Sequence, residues 1–146
     1  MKTILVPIDL SAATPSVCKA ACDLARQLHS SLLLIHVVQY PVMLADVYGM
    51  EGPFIQDALN AATEVGEQRL AAMARACVKR GIKTRTVQEV GSPVDEILSR
   101  ARGVSLIVIG SHGHGAVYDL FVGSTTQGVL RKAKCPVLVV PTKPRT

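Results

Sequence analysis

Four short, unbroken apolar runs constrain the fold of this chain more than any other feature of its sequence. They are rich in Val, Leu and Ile, and they extend from Thr3 to Ile8, Ser31 to Val38, Val104 to Gly110 and Cys135 to Pro141. Runs without polar alternation are typical of strands that are covered on both faces, as in a parallel sheet. A fifth run, Lys83 to Val90, alternates polar and apolar residues, which predicts a strand at an edge of the same sheet.

Helical patterns lie between these runs. Thr14 followed by Pro15 predicts a capped helix start, and the residues that follow it place an apolar face at helical spacing: Val17, Ala20, Ala21, Leu24 and Leu28. The longest pattern, from about Gln56 to Arg80, predicts a second buried face, made of Leu59, Ala62, Val65, Leu70, Met73 and Cys77. Ser92 and Ser124 begin two shorter helices. Strands that alternate with helices predict a doubly wound α/β sheet, in which ligands bind beyond the carboxyl ends of the strands.

The composition indicates one globular domain, residues 1–146. At 146 residues, 49% hydrophobic and 18% charged, the chain has the size and balance of a single packed core. Aromatic residues make up only 3% and Trp is missing, which disfavours the stacking platforms of single-strand nucleic-acid binders. The net charge of +5 suits an anionic small ligand but is too diffuse to predict a nucleic-acid partner.

The sequence also predicts a cytoplasmic location. No apolar run approaches the ~20 residues of a membrane span, and the N-terminal residues lack the pattern of a signal peptide. Cys18 and Cys22 lie one helical turn apart, which prevents an easy disulfide between them and suits a reducing compartment. The irregular segment from Gln39 to Phe54 follows the second apolar run, so we expect it on the ligand side of the sheet.

The stretch GSHGHGAVYDLFVGST, Gly110 to Thr125, is the chemically richest part of the chain. It does not match the P-loop, the dinucleotide-binding GxGxxG pattern or the GxSxG elbow of hydrolases. It does carry Gly110 and Gly113 with two residues between them, then nine residues, then Gly123 followed by Ser124. Glycines that bring bare N–H groups near an anion, followed by a helix start, predict a phosphate site. Hydroxyls at the helix start add hydrogen bonds to a phosphate or a ligand for its Mg²⁺.

Other readings of the polar residues stay open. His112 and His114 form an H-x-H pair that can chelate a metal, but no third ligand lies near them in sequence. Cys18 and Cys22 could supply two ligands of a metal site, but small buried thiols on a helix are the simpler interpretation. Asp9 is a turn acid or a carboxylate that contacts a ligand at a strand end. A flavin site is disfavoured because few aromatic residues are present to sandwich its ring.

At these residues the sequence resembles the universal stress proteins. Their nucleotide-binding branch carries G-x2-G-x9-G-[ST], which Gly110, Gly113, Gly123 and Ser124 match. The likeness extends through ILVPIDLS, LLLIHVV, the GSP before the third helix, LIVIGSHG and CPVLVVP, and thus over essentially the whole chain. It implies the universal stress protein fold, of the adenine nucleotide alpha hydrolase-like type: a five-stranded parallel sheet in the order 3-2-1-4-5.

The resemblance implies a role for each matching position in a site for ATP and its Mg²⁺. Asp9 would line the adenosine pocket, Pro7 would form part of its wall, and the backbone of Val37 would read the adenine edge. Ile109 and Gly110 would flank the ribose. The phosphates would be held by Gly113, Gly123, Ser124 and Thr125.

The resemblance also implies a cytoplasmic, ATP-dependent stress-response regulator that forms a homodimer through Pro136–Val140 and acts on a regulatory protein partner of unknown identity. Two rival hypotheses remain: a slow ATPase or autophosphorylating protein that uses Ser124 or Thr125, and a flavin or other adenine-cofactor binder. No activated nucleophile with a paired base is visible in the sequence, which favours binding over catalysis.

Overall fold

The computed structural model describes residues 1–41, 49, 52–112 and 122–142. In this part of the chain, five strands alternate with four helices. The strands are β1 (Thr3–Pro7), β2 (Ser31–Val38), β3 (Thr84–Val90), β4 (Leu106–Gly110) and β5 (Val137–Val140). The helices are α1 (Thr14–Gln27), α2 (Pro53–Lys79), α3 (Pro93–Arg100) and α4 (Ser124–Lys132). No helix among these residues is long and apolar enough to span a membrane.

The sheet is parallel throughout and has the order β3-β2-β1-β4-β5, which confirms the predicted topology. The central strand β1 is covered on both faces, so its residues Ile4, Leu5 and Val6 are 0% exposed. Ile4 and Val6 pack with residues of α1 and α2 on one face. Leu5 packs on the other face with residues of α3 and α4. The unbroken apolar run of β1 therefore reflects a strand that has helices on both sides.

The expected edge strand is confirmed, since β3 pairs with β2 alone among the five described strands. The expected buried face of α2 is partly wrong: Ala62 is exposed and Val65 is 52% exposed. Gly66 is buried instead, and a Cβ there would lie 2.4 Å from Oε1 of Gln88 on β3. The side of α2 that faces the sheet at this level has room for a glycine and not for a larger residue.

Two expectations about helix ends are also corrected. Thr14 is the first residue of α1 and its N-cap is Ala13, so the Thr14 hydroxyl does not cap the helix. Leu28, expected on the buried face, follows the last turn of α1 and is 50% exposed. Pro53 begins α2, so the end of the segment predicted to be irregular is helical; most of that segment lies outside the described residues.

The carboxyl ends of β1 and β4 lie side by side at the centre of the sheet, where the strand order reverses. The chain leaves β1 for one side of the sheet through α1, and leaves β4 for the other side through α4. Such a fork opens a crevice that backbone atoms of both strands can line.

Candidate functional site

A cavity of about 550 Å³ lies at this fork. The structure brings together eight of the nine predicted site residues in its lining: Pro7, Asp9, Val37, Ile109, Gly110, Gly123, Ser124 and Thr125. The ninth, Gly113, lies outside the described residues, as does His114. Residues far apart in sequence thus converge because parallel strands all end at the same edge.

The end of β1 forms one wall of the cavity. The Ile8 N–H donates to the carbonyl oxygen of Ile35 on β2 at 2.8 Å, which extends the pairing of the two strands by one residue. The exposed Asp9 carboxylate accepts a hydrogen bond from the Ser11 N–H at 2.9 Å, the contact of a turn acid. Leu10 then adopts a φ of +62°, which turns the chain sharply toward α1.

The end of β2 forms a second wall. Nδ1 of His36 donates to the Ile8 carbonyl oxygen at 2.8 Å, so this ring links β2 to the end of β1. A structural role is therefore visible for His36, as expected for an isolated histidine within a strand. Val37 follows it in the cavity lining, and Ala62 of α2 also contributes to the lining.

Hydrogen bonds join the start of α4 to the end of β4. The buried Thr126 hydroxyl donates to the Gly110 carbonyl oxygen at 2.8 Å. The Gly123 N–H donates to the Ser111 carbonyl oxygen, also at 2.8 Å. Gly123 is the N-cap of α4 and makes no side-chain cap, so the first N–H groups of the helix have no partner within it. Ser124 and Thr125, the first two residues of α4, line the cavity.

The two described motif glycines differ in what would surround a Cβ atom. At Gly110 a Cβ would lie 3.1 Å from Cγ2 of Val17, which is tighter than ordinary contact. At Gly123 the nearest atoms would be the Ser111 carbonyl oxygen at 3.5 Å and the His112 Cα at 3.8 Å, which is ordinary contact. The φ of Gly123 is −60°, a value that any residue adopts. Neither packing nor backbone conformation therefore requires a glycine at position 123.

The cavity lining combines apolar side chains with polar groups, and few of the polar groups are charged. Among the lining residues that the structure describes, Asp9 is the one carboxylate, and there is no Lys or Arg. An anionic group in this cavity would have to be bound by N–H groups, hydroxyls and imidazole, together with the positive ends of helix dipoles.

Thr14 and His112 are among the lining residues that the sequence did not predict as site residues. Oγ1 of Thr14 and Nε2 of His112 are buried and make no hydrogen bond. His112 was discounted because its suspected metal site lacks a third ligand, and among the described residues no group of three His, Cys, Asp or Glu side chains could hold a metal ion. The signal in the sequence was the hydroxyl-rich segment SAATPS after β1 and the position of His112 two residues beyond Gly110.

A parallel, doubly wound sheet with a cavity of mixed polar and apolar lining at its switch point defines an α/β domain built to bind a small ligand. The comparisons with known proteins give this class its family. The chain belongs to the universal stress protein family, whose family model matches residues 1–141.

Individual relatives agree with this assignment. Universal stress protein YxiE of Bacillus subtilis is 31% identical over 143 residues, which cover 94% of this chain and 97% of YxiE. The solved structure of protein MJ0577 of Methanocaldococcus jannaschii has a TM-score of 0.83 and 28% identity, covering 99% of this chain and 98% of that one. A universal stress protein of Archaeoglobus fulgidus, solved in complex with dAMP, has the same fold, with a TM-score of 0.67 and 21% identity over 95% of this chain and 97% of that one.

Proposed function

We propose that this chain binds ATP in the cavity at the carboxyl ends of β1 and β4, and that it is a nucleotide-dependent stress-response regulator of the cytoplasm. The observation that carries the proposal is the meeting of Gly110, Gly123 and Ser124 at one cavity wall, beside the uncapped start of α4. These residues belong to the only part of the sequence that predicts a phosphate site, and Gly110 lies thirteen residues before Gly123 along the chain.

The properties of the cavity support a nucleotide as the ligand. A volume of about 550 Å³ lies within the range of small-molecule sites, ~300–1,000 Å³. The fold would accept a Cβ at position 123, so packing does not explain the glycine there. A phosphate that approaches the backbone at this position does explain it, because a Cβ would occupy the same space. In the proposed arrangement the backbone of Gly113, Ser124 and Thr125 holds the phosphates. Gly123, whose N–H donates to the Ser111 carbonyl oxygen, lets the phosphates approach because it has no Cβ. Mg²⁺ supplies the charge neutralisation that the lining lacks.

The remaining lining residues are assigned to adenosine. Pro7 and Ile109 supply apolar wall, and the backbone of Val37 is free to read the adenine edge. Asp9 is an exposed acceptor at the mouth of the site, suited to ribose hydroxyls. The complex of the Archaeoglobus fulgidus protein with dAMP supports an adenine nucleotide in particular. A further universal stress protein of this fold, with a TM-score of 0.63 and 21% identity, is a complex with cAMP.

We propose binding rather than turnover as the activity. Hydrolysis of ATP needs an activated nucleophile and compensation of the charge that develops in the transition state. Among the described lining residues, Asp9 is the one carboxylate, and its Oδ1 is occupied by the Ser11 N–H. A site of this kind can hold a nucleotide and report its presence to a partner protein.

The second part of the proposal is a homodimer through Pro136–Val140. Among the described residues, β5 pairs with β4 alone, so no described strand covers its outer edge. Leu138, in the middle of β5, is 41% exposed, which is high for a leucine in a strand. Two copies that pair these edges around a twofold axis would satisfy the strand hydrogen bonds and cover Leu138.

The test of the proposed ligand has two parts. Protein purified under gentle conditions is denatured, and the released small molecules are identified by chromatography and mass spectrometry; we expect an adenine nucleotide. The stripped, refolded protein is then titrated with ATP in a calorimeter, with flavin mononucleotide as the matched control ligand.

One saturable site for ATP and none for the flavin is the expected result. Preferential binding of the flavin would replace the proposal by the cofactor-binder hypothesis, and no binding of either ligand would contradict it. ADP that accumulates faster with the protein than in buffer alone would favour the ATPase hypothesis instead.

A further inference from the structure

Two buried polar atoms without a partner lie at the same cavity. The part of the chain that the structure describes contains three buried side-chain nitrogen or oxygen atoms that make no hydrogen bond. One of them, Oε1 of Gln88, belongs to a residue outside the lining, and the other two belong to the lining residues Thr14 and His112. A buried polar group without a partner destabilises a folded protein, and most are paired. Two of them at one cavity point to a ligand that completes them.

Thr14 lies above the end of β4. It is 5% exposed and begins α1, whose N-cap Ala13 forms no side-chain cap. Val17, three residues later on the same face of α1, comes within 3.1 Å of a Cβ built on Gly110. Because α1 starts at the carboxyl edge of the sheet, Thr14 is one helical turn further out from that edge than Val17. Thr14 and Gly110 line the same cavity, and we therefore assign the Thr14 hydroxyl to the proposed phosphate site at the end of β4.

His112, which also lines the cavity, is held in place by hydrogen bonds to Ser111 and Thr142. Its backbone N–H donates to Oγ1 of Thr142 at 3.1 Å, and the same hydroxyl donates to the His112 carbonyl oxygen at 3.1 Å. Nδ1 of its ring is 3.0 Å from Oγ of Ser111. The ring is thus oriented through Nδ1, while Nε2 has no partner. The His112 Cα is 3.8 Å from a Cβ built on Gly123, so this residue adjoins the start of α4.

Both atoms can act as hydrogen-bond donors. The Thr14 hydroxyl carries one hydrogen, and no acceptor for it exists among the described residues. Nδ1 of His112 can accept the hydrogen of the Ser111 hydroxyl, and the neutral ring then carries its own proton on Nε2. A protonated ring donates from Nε2 as well. Phosphate oxygens only accept hydrogen bonds. A phosphate group therefore matches these two donors better than a ligand group that offers one donor and one acceptor.

We propose that Thr14 Oγ1 and His112 Nε2 donate hydrogen bonds to the phosphate group of the bound nucleotide, and that they set the preference of the site for nucleotides over nucleosides. This inference rests on the proposed function. Two further features favour phosphate over the sugar or the base. The first turns of α1 and α4 contain no acidic residue, whereas that of α3, whose Pro93 also lines the cavity, contains Asp95 and Glu96. The described lining also contains no Lys or Arg that would make these donors redundant.

The test compares ATP with adenosine, which has the same base and sugar but no phosphate. The variants are Thr14→Val, which keeps the shape of the side chain without the hydroxyl, and His112→Phe, which keeps a ring without the donor. Each variant should bind ATP about tenfold more weakly, the effect of one hydrogen bond to a charged group. Adenosine affinity should change by less than about twofold, because no contact to it is lost. The affinities are measured by calorimetry.

Matched variants separate this effect from damage to the fold. Thr14→Ser and His112→Gln retain a donor and should retain ATP affinity within about threefold. Thr3→Val makes the same substitution at the opposite end of the sheet, where the Thr3 hydroxyl is 3.2 Å from that of Ser31, and should leave both affinities unchanged. Thr14→Val should also raise the midpoint of urea unfolding, because the hydroxyl that it removes has no partner in the free protein.

The outcomes are distinct. ATP affinity that is unchanged in Thr14→Val and His112→Phe, or an equal loss for ATP and adenosine, overturns this inference while the proposed function stands. A loss in one variant alone overturns the assignment of the other residue. A wild-type protein that binds neither ligand overturns the proposed function and this inference together.

Discussion

Replacing Gly123 by alanine should separate ligand binding from folding. The backbone of Gly123 has φ −60° and ψ 156°, which an L-residue adopts without strain. The new Cβ would meet the Ser111 carbonyl oxygen at 3.5 Å and the His112 Cα at 3.8 Å, both ordinary contact distances. Alanine is a poorer N-cap than glycine, which lowers the free energy of unfolding by about 0.5–1 kcal/mol. Alanine also restricts the unfolded chain, which raises the free energy of unfolding by about 0.4–1 kcal/mol. The two effects offset each other, so the free energy of unfolding should change by less than about 1 kcal/mol.

Gly110→Ala provides the contrast. Its Cβ would lie 3.1 Å from Cγ2 of Val17 and 3.4 Å from Cγ2 of Thr142. Val17 is 4% exposed in the core beneath α1 and has little space to move. Forcing an additional carbon into such a contact typically costs about 1–3 kcal/mol. Gly110→Ala should therefore lower the free energy of unfolding, whereas Gly123→Ala should not.

Binding should follow a different order from stability. If phosphate oxygens approach the backbone at position 123, the added Cβ occupies space that the ligand needs, and ATP affinity should fall at least about tenfold. Urea unfolding followed by circular dichroism gives the stability of each variant, and calorimetric titration with ATP gives its affinity. A Gly123→Ala protein that is as stable as wild type and binds ATP equally well would refute the assignment of Gly123 to the phosphate site.

Three further predictions concern other parts of the molecule. If the chain forms the proposed dimer, Leu138→Lys should give a monomer in sedimentation velocity, whereas Val90→Lys, at the exposed β3 edge, should give a dimer like the wild type; a Leu138→Lys dimer would contradict pairing through β5. Burial raises the pKa of the Cys22 thiol from 9.0 to about 12, so the folded protein keeps a proton that the unfolded chain loses. Stability should therefore fall as the pH rises above about 9, and less steeply in Cys22→Ala, as measured by urea unfolding at each pH. Thr126→Val should lower the free energy of unfolding by about 1–3 kcal/mol, because the Gly110 carbonyl loses its hydroxyl donor; an unchanged unfolding midpoint would exclude this role.

The topology of the sheet could be predicted from sequence because burial on both faces leaves a pattern that few other structures share. β1 is flanked by β2 and β4 and covered by helices on both sides, so nothing polar is accommodated from Ile4 to Val6. The edge strand β3 has a neighbouring strand on one side alone among the described strands. Its polar and apolar residues alternate, as is typical of a strand in this position. In both strands a local pattern reflects a global position.

The pattern of α2 is less informative. Helical spacing identifies an apolar face but not how far along the helix that face stays in contact with the sheet. Toward its C-terminus, Leu70 and Cys77 are buried as expected, whereas Val65 is exposed at the level where Gly66 faces Gln88. The close approach of helix and strand at Gly66 depends on the path of both elements, which no local pattern records.

In the candidate site, too, some features could be predicted from the sequence and others depend on the folded structure. The spacing of Gly110, Gly123 and Ser124 could be read from the sequence, because a phosphate site needs bare backbone next to a helix start. The roles of Thr14 and His112 could not, because each depends on an atom that lacks a partner after folding. That a polar atom is left without a hydrogen bond is a property of the folded structure rather than of any motif.

The central claim, that ATP binds at the switch point between β1 and β4, is tested most directly by titrating ¹⁵N-labelled protein with ATP and following the backbone amide resonances. The claim predicts saturable shifts for the amides of Gly110, Gly123 and Ser124, which line the cavity, and little change for Gly103, at the opposite end of the sheet. Shifts that are confined to other residues, or no shifts at millimolar ATP, would contradict it.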